Sequence, residues 1–409
     1  MELISPTVII ILGCVALLLF LQWKNLRGPP CIRGWIPWIG AGFEFGKAPL
    51  EFIEKARIKY GPVFTVFVMG TRMTFVTEEE GINVFLKSKE VNFELAVQKP
   101  VYRTASIPKN TFLTLHEKLY IMMKGKIGTF NLYQLTGQLT EELNEQLENL
   151  GTHGTMELNN LVRHLLYPVT MNILFKKGLF PTDERKIREF YQHFQAYDEG
   201  FEYGSQMPER LLRNWSKSKK WLLALFEKTI PDMKTYRSAK DNSMTLMQAM
   251  LDIVETERKE EMSPNYGLLL LWASLSNAVP VAFWTLAFVL SHPTVHETIL
   301  EGISSVFGTA GKWQNKNAHL MELLGEYGMG TTEVERKGTS SWKQMIRECL
   351  QRRPSLRWFA LLQIQICIIL ILYKYDCSLL DPLPKQSPLH LVGVQQPEGQ
   401  CRIEFKQRK

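Results

Sequence analysis

The chain has 409 residues, of which 45% are hydrophobic and 22% are charged, and its formal net charge is +7. This length and apolar content are sufficient for a large core and exclude a disordered protein. A basic surface suits an anionic membrane, an acidic protein or nucleic acid. Because no block of lysine and arginine with interleaved aromatic residues occurs, nucleic acid is not an expected partner.

The amino terminus has the pattern of a membrane anchor. An apolar run from Ile4 to Leu21 is followed by Lys24 and Arg27, whereas Glu2 is the only charged side chain before it. Positive charge after an apolar run keeps that side in the cytosol. The pattern predicts a signal-anchor helix over 1–23 with a cytosolic body. A cleaved signal peptide is the alternative, although such signals carry positive charge before the run.

The first predicted elements after the anchor mix helices and strands. Pro29 and Pro30 predict a stiff extended hinge over 24–40. The stretch "APLEFIEKARIKYG" has helical spacing and ends at glycine, and "PVFTVFVMGTRMTFVT" predicts two strands joined by a turn. "EEEGINVFLKS" predicts a short helix, and from Phe112 to Leu290 apolar residues recur three and four apart. The sequence therefore predicts a mainly α fold with a small β lobe, whose body spans 41–311.

The pattern changes twice in the carboxy-terminal third. Residues 312–356 are polar and glycine-rich, and the apolar pattern returns at "RWFALLQIQICIILILYKYDCSLL". The last stretch alternates around Pro397, Glu398 and Gly399, which predicts a β-hairpin. We therefore expect a final segment of helix and hairpin over 357–409.

A long apolar stretch without charge inside the chain is "LLLLWASLSNAVPVAFWTLAFVL", from Leu268 to Leu290. It is long enough to span a membrane, but its polar residues favour a helix buried in protein. Pro280 has no N–H, so the carbonyl of Ser276 loses its helical donor and the helix should open locally. The residues alone leave two interpretations open, which are a ligand groove at this opening and a core helix with a tolerated kink. A multi-span membrane protein using Trp358–Tyr373 as a further span is a weaker alternative.

The stretch "KARIKYGPVFTVFVMGTRMTFVT" resembles the helix and β-hairpin near the start of microsomal cytochrome P-450 proteins. The anchor, the proline-rich hinge and the long central helix resemble the same family, as do the stretches up to Gly311 and from Arg357 onward. In that family the central helix crosses the haem face and lines the substrate cavity. At the family's oxygen-activating motif this chain resembles the sterol 7α-hydroxylase branch, and the resemblance implies that its oxygen and substrate groove is lined by Ser276, Asn277, Ala278, Val279 and Pro280.

The resemblance also implies a biochemical setting. It implies a haem monooxygenase in the endoplasmic reticulum membrane, with one amino-terminal anchor and a cytosolic body. Its partners would be the NADPH-cytochrome reductase and a sterol, and its reaction would be 7α-hydroxylation of an oxysterol toward bile acids.

The chain departs from the family where the haem should be held. The family's iron ligand is a Cys thiolate just before the last long helix, and that position here falls on Pro354, so Cys349 is the nearest substitute. The family's usual haem-propionate residues are also missing, and Lys118 and Lys124 are the candidates in their place. We expect 312–356 to be a replaced segment. The alternative function is therefore a membrane-anchored protein that binds sterol or a partner without haem.

Overall fold

The computed structural model describes residues 13–15, 28–88, 90–127, 129–178, 183–235, 245–307, 354–387 and 393–408. Two compact units divide the chain, Met1–Leu95 and Ala96–Lys409. Apart from the helical residues 13–15, the predicted anchor over 1–23 lies outside the described residues. So does the predicted replaced segment, except for 354–356. The predicted domain limits therefore stay predictions.

The first unit carries the predicted β lobe. Its elements are β1 (Cys31–Ile32), α1 (Gly42–Lys47), α2 (Pro49–Tyr60), β2 (Val63–Val68), β3 (Thr71–Val76) and α3 (Glu79–Lys87). The sheet order is β1-β2-β3, and β2 pairs antiparallel with β3. Met69 and Gly70 both have positive φ, as a two-residue hairpin turn requires. The predictions for α2, the hairpin and α3 are confirmed.

The second unit is mainly helical. After α4 (Phe93–Ala105), which begins at the boundary between the units, its helices are α5 (Lys109–Lys126), α6 (Thr129–Glu148), α7 (Leu158–Phe175), α8 (Glu184–Glu199), α9 (Phe201–Gln206), α10 (Arg213–Thr235), α11 (Leu246–Thr256), α12 (Ser263–Leu275), α13 (Ala278–Ser291), α14 (Pro293–Phe307) and α15 (Pro354–Lys374). The mainly α fold with small sheets is thus confirmed.

The apolar central segment lies in the core of the second unit. Residues Glu260–Ser291 are long and apolar enough to cross a membrane, but 78% of their most apolar window is buried inside the protein. α13 packs against α7, α15 and α14. This arrangement is that of a core helix, in agreement with the argument from its polar residues.

The end of α4 fixes two helices that matter for the site. The Tyr197 hydroxyl of α8 donates to the Thr104 carbonyl at 3.0 Å. The Asn265 amide of α12 donates to the Ala105 carbonyl at 2.8 Å. The last carbonyls of a helix have no partner within it. These two side chains therefore satisfy the end of α4 and tie α8 and α12 to the same point.

The strands of the carboxy-terminal stretch do not pair across a turn at Pro397, Glu398 and Gly399 as predicted. The remaining strands are β4 (His153–Glu157), β5 (Tyr375–Leu379), β6 (Lys385–Gln386), β7 (Pro397–Glu398) and β8 (Arg402–Gln407). β7 pairs with β6, whereas β8 lies between β4 and β5. Ile403 and Phe405 are buried on one face of β8, and Arg402 binds Asp381 through both carboxylate oxygens. The residues of β8 do alternate between buried and exposed, as predicted. The strands that pair with β8 are distant in sequence, because burial of its apolar face selects them and the turn does not.

Candidate functional site

The central helix breaks at the predicted place. α12 ends at Leu275 and α13 begins at Ala278. The Ser276 amide still donates to the Trp272 carbonyl at 2.9 Å, and the Val281 amide donates to the Asn277 carbonyl at 3.2 Å. Between them Pro280 offers no N–H to the Ser276 carbonyl. The predicted local opening is confirmed, and its role as an oxygen and substrate groove stays a prediction.

A distant segment binds the side chain at the break. Asn277 Oδ1 accepts a hydrogen bond from the Val394 amide at 3.1 Å. A Cβ on Gly393 would lie 3.3 Å from the same oxygen, so a larger residue there would crowd it. About two helical turns after Asn277, Trp284 Nε1 donates to the Gln395 carbonyl at 2.8 Å. The segment after residue 392 therefore runs along α13, which no local sequence pattern indicated.

The five predicted groove residues differ in what they offer. Ala278, Val279 and Pro280 are buried and apolar. The Ser276 hydroxyl oxygen is buried and has no hydrogen-bond partner among the described residues. An unpaired buried hydroxyl costs about 1–3 kcal/mol. Such a group can hydrogen-bond a ligand or a water that reaches the break.

The two lysines predicted for haem propionates lie on α5. Lys118 is half-exposed and forms an ion pair with Glu257. Lys124 is exposed. To bind a propionate, the Lys118 ammonium would exchange one carboxylate for another. Neither role is decided by these contacts, so both stay predictions.

The described cysteines do not fit a haem thiolate. Burial raises the pKa of Cys367 in α15 and of Cys377 in β5 to about 12, and that of Cys401 to about 11. None of these three cysteines lies just before the last long helix, where the family holds its iron ligand. Cys31 belongs to the β lobe of the first unit and Cys14 to the amino-terminal segment.

The predicted ligand position cannot supply the thiolate either. Pro354 is the first residue of α15, and proline has no donor atom for iron. Cys349 lies outside the described residues. No described cysteine therefore occupies the position, just before the last long helix, at which the family holds its iron.

A second polar cluster lies one turn before the break, and sequence reasoning missed it. Trp272 Nε1 donates to Asp198 Oδ1 at 3.0 Å. Burial raises the pKa of the Asp198 carboxyl to about 7, although the positive charge of Arg163 and the Trp272 hydrogen bond act in the opposite direction. Arg163 is on α7, Asp198 on α8 and Trp272 on α12, so only tertiary packing brings them together.

Comparison with known proteins decides the family. A family model for cytochrome P450 matches residues 29–326. The chain belongs to the cytochrome P450 family. Haem is the cofactor of this family, whose members hold the iron by a Cys thiolate. The match extends into the predicted replaced segment, which begins at residue 312.

Two relatives match this cytochrome P450 along its whole length. It is 66% identical to a human protein named 24-hydroxycholesterol 7-alpha-hydroxylase, with 100% of both chains covered. It is 58% identical to the mouse protein of the same name, with 100% of this chain and 99% of the relative covered. A mouse protein named Cytochrome P450 7B1 is 27% identical over 72% of this chain and 59% of that relative.

The comparison with the human relative also contains a gap. The alignment spans 468 positions, against the 409 residues of this chain, a difference of 59. At least that many positions of the relative therefore have no counterpart here. The comparison does not locate them, so replacement of 312–356 stays a prediction.

Proposed function

We propose that this cytochrome P450 hydroxylates an oxysterol, 24-hydroxycholesterol, at carbon 7 on the α face, a reaction of bile-acid formation. The observation that carries the proposal is the match along the whole chain, at 66% and 58% identity, to two proteins that bear this activity in their names. Haem would supply the oxygen chemistry when bound. The chain's own residues would bind and orient the sterol.

The broken central helix supports a binding role for the predicted groove. Ala278, Val279 and Pro280 are apolar, as the lining of a sterol-binding groove is expected to be. The unpaired Ser276 hydroxyl offers one hydrogen bond at the same place. Asn277 holds the loop that follows residue 392 against the break and so shapes the groove from the other side.

We also propose a membrane setting and an electron donor. The apolar run over 1–23 would anchor the chain in the endoplasmic reticulum with its body in the cytosol. The NADPH-cytochrome reductase would deliver electrons. The net charge of +7 suits an acidic protein partner and an anionic membrane surface, because opposite charges accelerate encounter.

The test is expression of the full chain in microsomes with the reductase. The reduced carbon-monoxide difference spectrum reports a thiolate-held haem, and mass spectrometry reports conversion of 24-hydroxycholesterol to its 7α-hydroxy product. A thiolate-type band together with product supports the proposal. A chain that is present by immunoblot but shows neither band nor product contradicts it.

A second candidate is a sterol-binding protein without turnover. Two observations favour it, namely that Pro354 stands at the family's ligand position and that the chain lacks 59 positions of the alignment. The same preparation separates the two functions. Saturable binding of 24-hydroxycholesterol without a carbon-monoxide band supports the second candidate and excludes the first.

A further inference from the structure

Three helices bring an acidic, a basic and an aromatic residue together beside the broken helix. Trp272 Nε1 fixes Asp198 Oδ1 at 3.0 Å. Asp198 Oδ2 accepts no hydrogen bond from any described residue. Burial of the carboxyl group raises its pKa to about 7. One of its two oxygens therefore keeps its full capacity to accept a hydrogen bond.

The Arg163 side chain, which is close to Asp198, also has a hydrogen-bond donor without a partner. Arg163 attracts Asp198 electrostatically, but none of its nitrogens lies within 4.0 Å of a carboxylate oxygen of the described residues. Arg163 Nε is buried and has no partner among the described residues. The buried Tyr167 is close enough for the charges of both Arg163 and Asp198 to act on its hydroxyl. Buried polar groups in folded proteins almost always find a partner.

The polar cluster lies close to the predicted groove along the central helix. Phe201 stacks on Trp272, with ring centroids 3.5 Å apart and planes 8° apart. Trp272 lies four residues before Ser276, which is one helical turn or about 6 Å along the axis. Side chains four apart share one face of a helix. The polar cluster and the predicted groove therefore lie on neighbouring turns of the same helix face.

We propose that Arg163 and Asp198, beside Trp272, bind a hydroxyl group of the oxysterol, and this rests on the proposed function. Asp198 Oδ2 accepts the hydroxyl hydrogen, and Arg163 Nε donates to the hydroxyl oxygen. Trp272 is a positioning residue, because it holds the carboxylate through Oδ1. A hydrogen bond to a charged group contributes more to affinity than one between neutral groups. Asp198 and Arg163 therefore determine which sterols bind tightly.

The test is equilibrium binding of three sterols to the purified full chain in detergent. The probes are 24-hydroxycholesterol, cholesterol, which lacks the side-chain hydroxyl, and 24-hydroxycholest-4-en-3-one, which lacks the ring hydroxyl. Asp198→Ala should weaken binding about tenfold or more for every sterol that carries the bound hydroxyl. The one sterol that lacks this hydroxyl should be insensitive to the change. The insensitive sterol identifies which hydroxyl is held.

Glu184→Ala is the matched control, since it removes an exposed carboxylate from the opposite end of α8. All three affinities should be unchanged in this variant. Equal weakening of all three sterols by Asp198→Ala, or no weakening, overturns the hydroxyl site and leaves the proposed function standing. A wild-type chain that binds no sterol overturns both.

Asp198→Asn keeps the test decisive if the alanine variant does not fold, because the amide preserves the acceptor for Trp272. The charged and titratable groups around Asp198 are Arg163, Tyr167, Tyr197, Glu199 and Glu202.

In the wild-type chain the affinity for 24-hydroxycholesterol should rise about tenfold from pH 6 to pH 8 as the carboxyl loses its proton. The Asn variant should bind more weakly at pH 8 and show no such rise. An equal rise in both chains contradicts the assignment.

Discussion

Asn277 and Val394 are 117 residues apart in the chain and 3.1 Å apart in the structure, where the side-chain oxygen of the first accepts the amide hydrogen of the second. This bond joins the break of the central helix to the loop that follows residue 392. Trp284 makes a parallel bond to the Gln395 carbonyl at 2.8 Å. The shape of the predicted groove therefore depends on two side chains that hold one distant segment.

The two bonds should be energetically coupled. Asn277→Ala leaves the Val394 amide unpaired, and Trp284→Phe leaves the Gln395 carbonyl unpaired, so each should lower the free energy of unfolding by about 1–3 kcal/mol. Because both hold one segment, the double variant should lose less than the sum of the singles, by about 0.5 kcal/mol or more. Urea unfolding measures all three. Asn110→Ala, at an exposed helix position, is the control and should leave the free energy of unfolding unchanged. If the losses in the two single variants add up exactly in the double variant, the two bonds do not hold a shared segment.

Pro280→Ala should close the break. The new N–H can donate to the Ser276 carbonyl, so α12 and α13 can join into one continuous helix. We expect unchanged or higher thermal stability together with several-fold weaker binding of 24-hydroxycholesterol, because the groove narrows. Pro168→Ala is the matched control, since Pro168 lies inside α7. If Pro280→Ala binds the sterol as tightly as the wild type, the residues at the break do not form the binding groove.

The buried carboxyl should make stability depend on pH. The pKa of Asp198 is raised from an ordinary value of 3.8 to about 7, so the folded state holds a proton that the unfolded state has released between these values. Stability contributed by this group is therefore present at low pH and is lost as pH rises through 7. Asp198→Asn should be more stable than the wild type at pH 8, by about 1–3 kcal/mol, with little difference near pH 4. Chemical unfolding at both pH values measures the difference in stability between the two chains. An Asn variant that is less stable than the wild type at pH 8 would contradict this prediction.

Thiol reactivity should follow burial. Cys367, Cys377 and Cys401 are buried with raised pKa values, so they should resist alkylation at pH 7.5 in the folded chain. Mass spectrometry after iodoacetamide treatment measures this, and the same three sites should be modified once urea unfolds the chain. Rapid modification of Cys367 in the folded state would show an accessible thiolate and would reopen its candidacy as an iron ligand.

Local patterns were sufficient for several elements. The spacing of apolar residues predicted α2, and the sequence around Met69 and Gly70 predicted the β2–β3 hairpin, because only neighbouring residues are needed to form them. Pro280 predicted the helix break for the same reason, since a missing N–H acts on the carbonyl four residues earlier. The family could also be inferred from the sequence, because its motifs are contiguous.

Pairings over long distances could not be predicted. The stretch after Gly399 alternates as a strand should, yet its partners β4 and β5 were missed because the alternation does not encode which strand lies beside it. The Asn277–Val394 bond and the Asp198–Trp272 bond share this origin. The sequence alone determined the helical content, the break at Ser276 and Asn277, and the membership of the cytochrome P450 family. Tertiary packing decided which groups meet at that break and raised the pKa of Asp198, because burial and hydrogen bonding depend on residues that are distant in the chain.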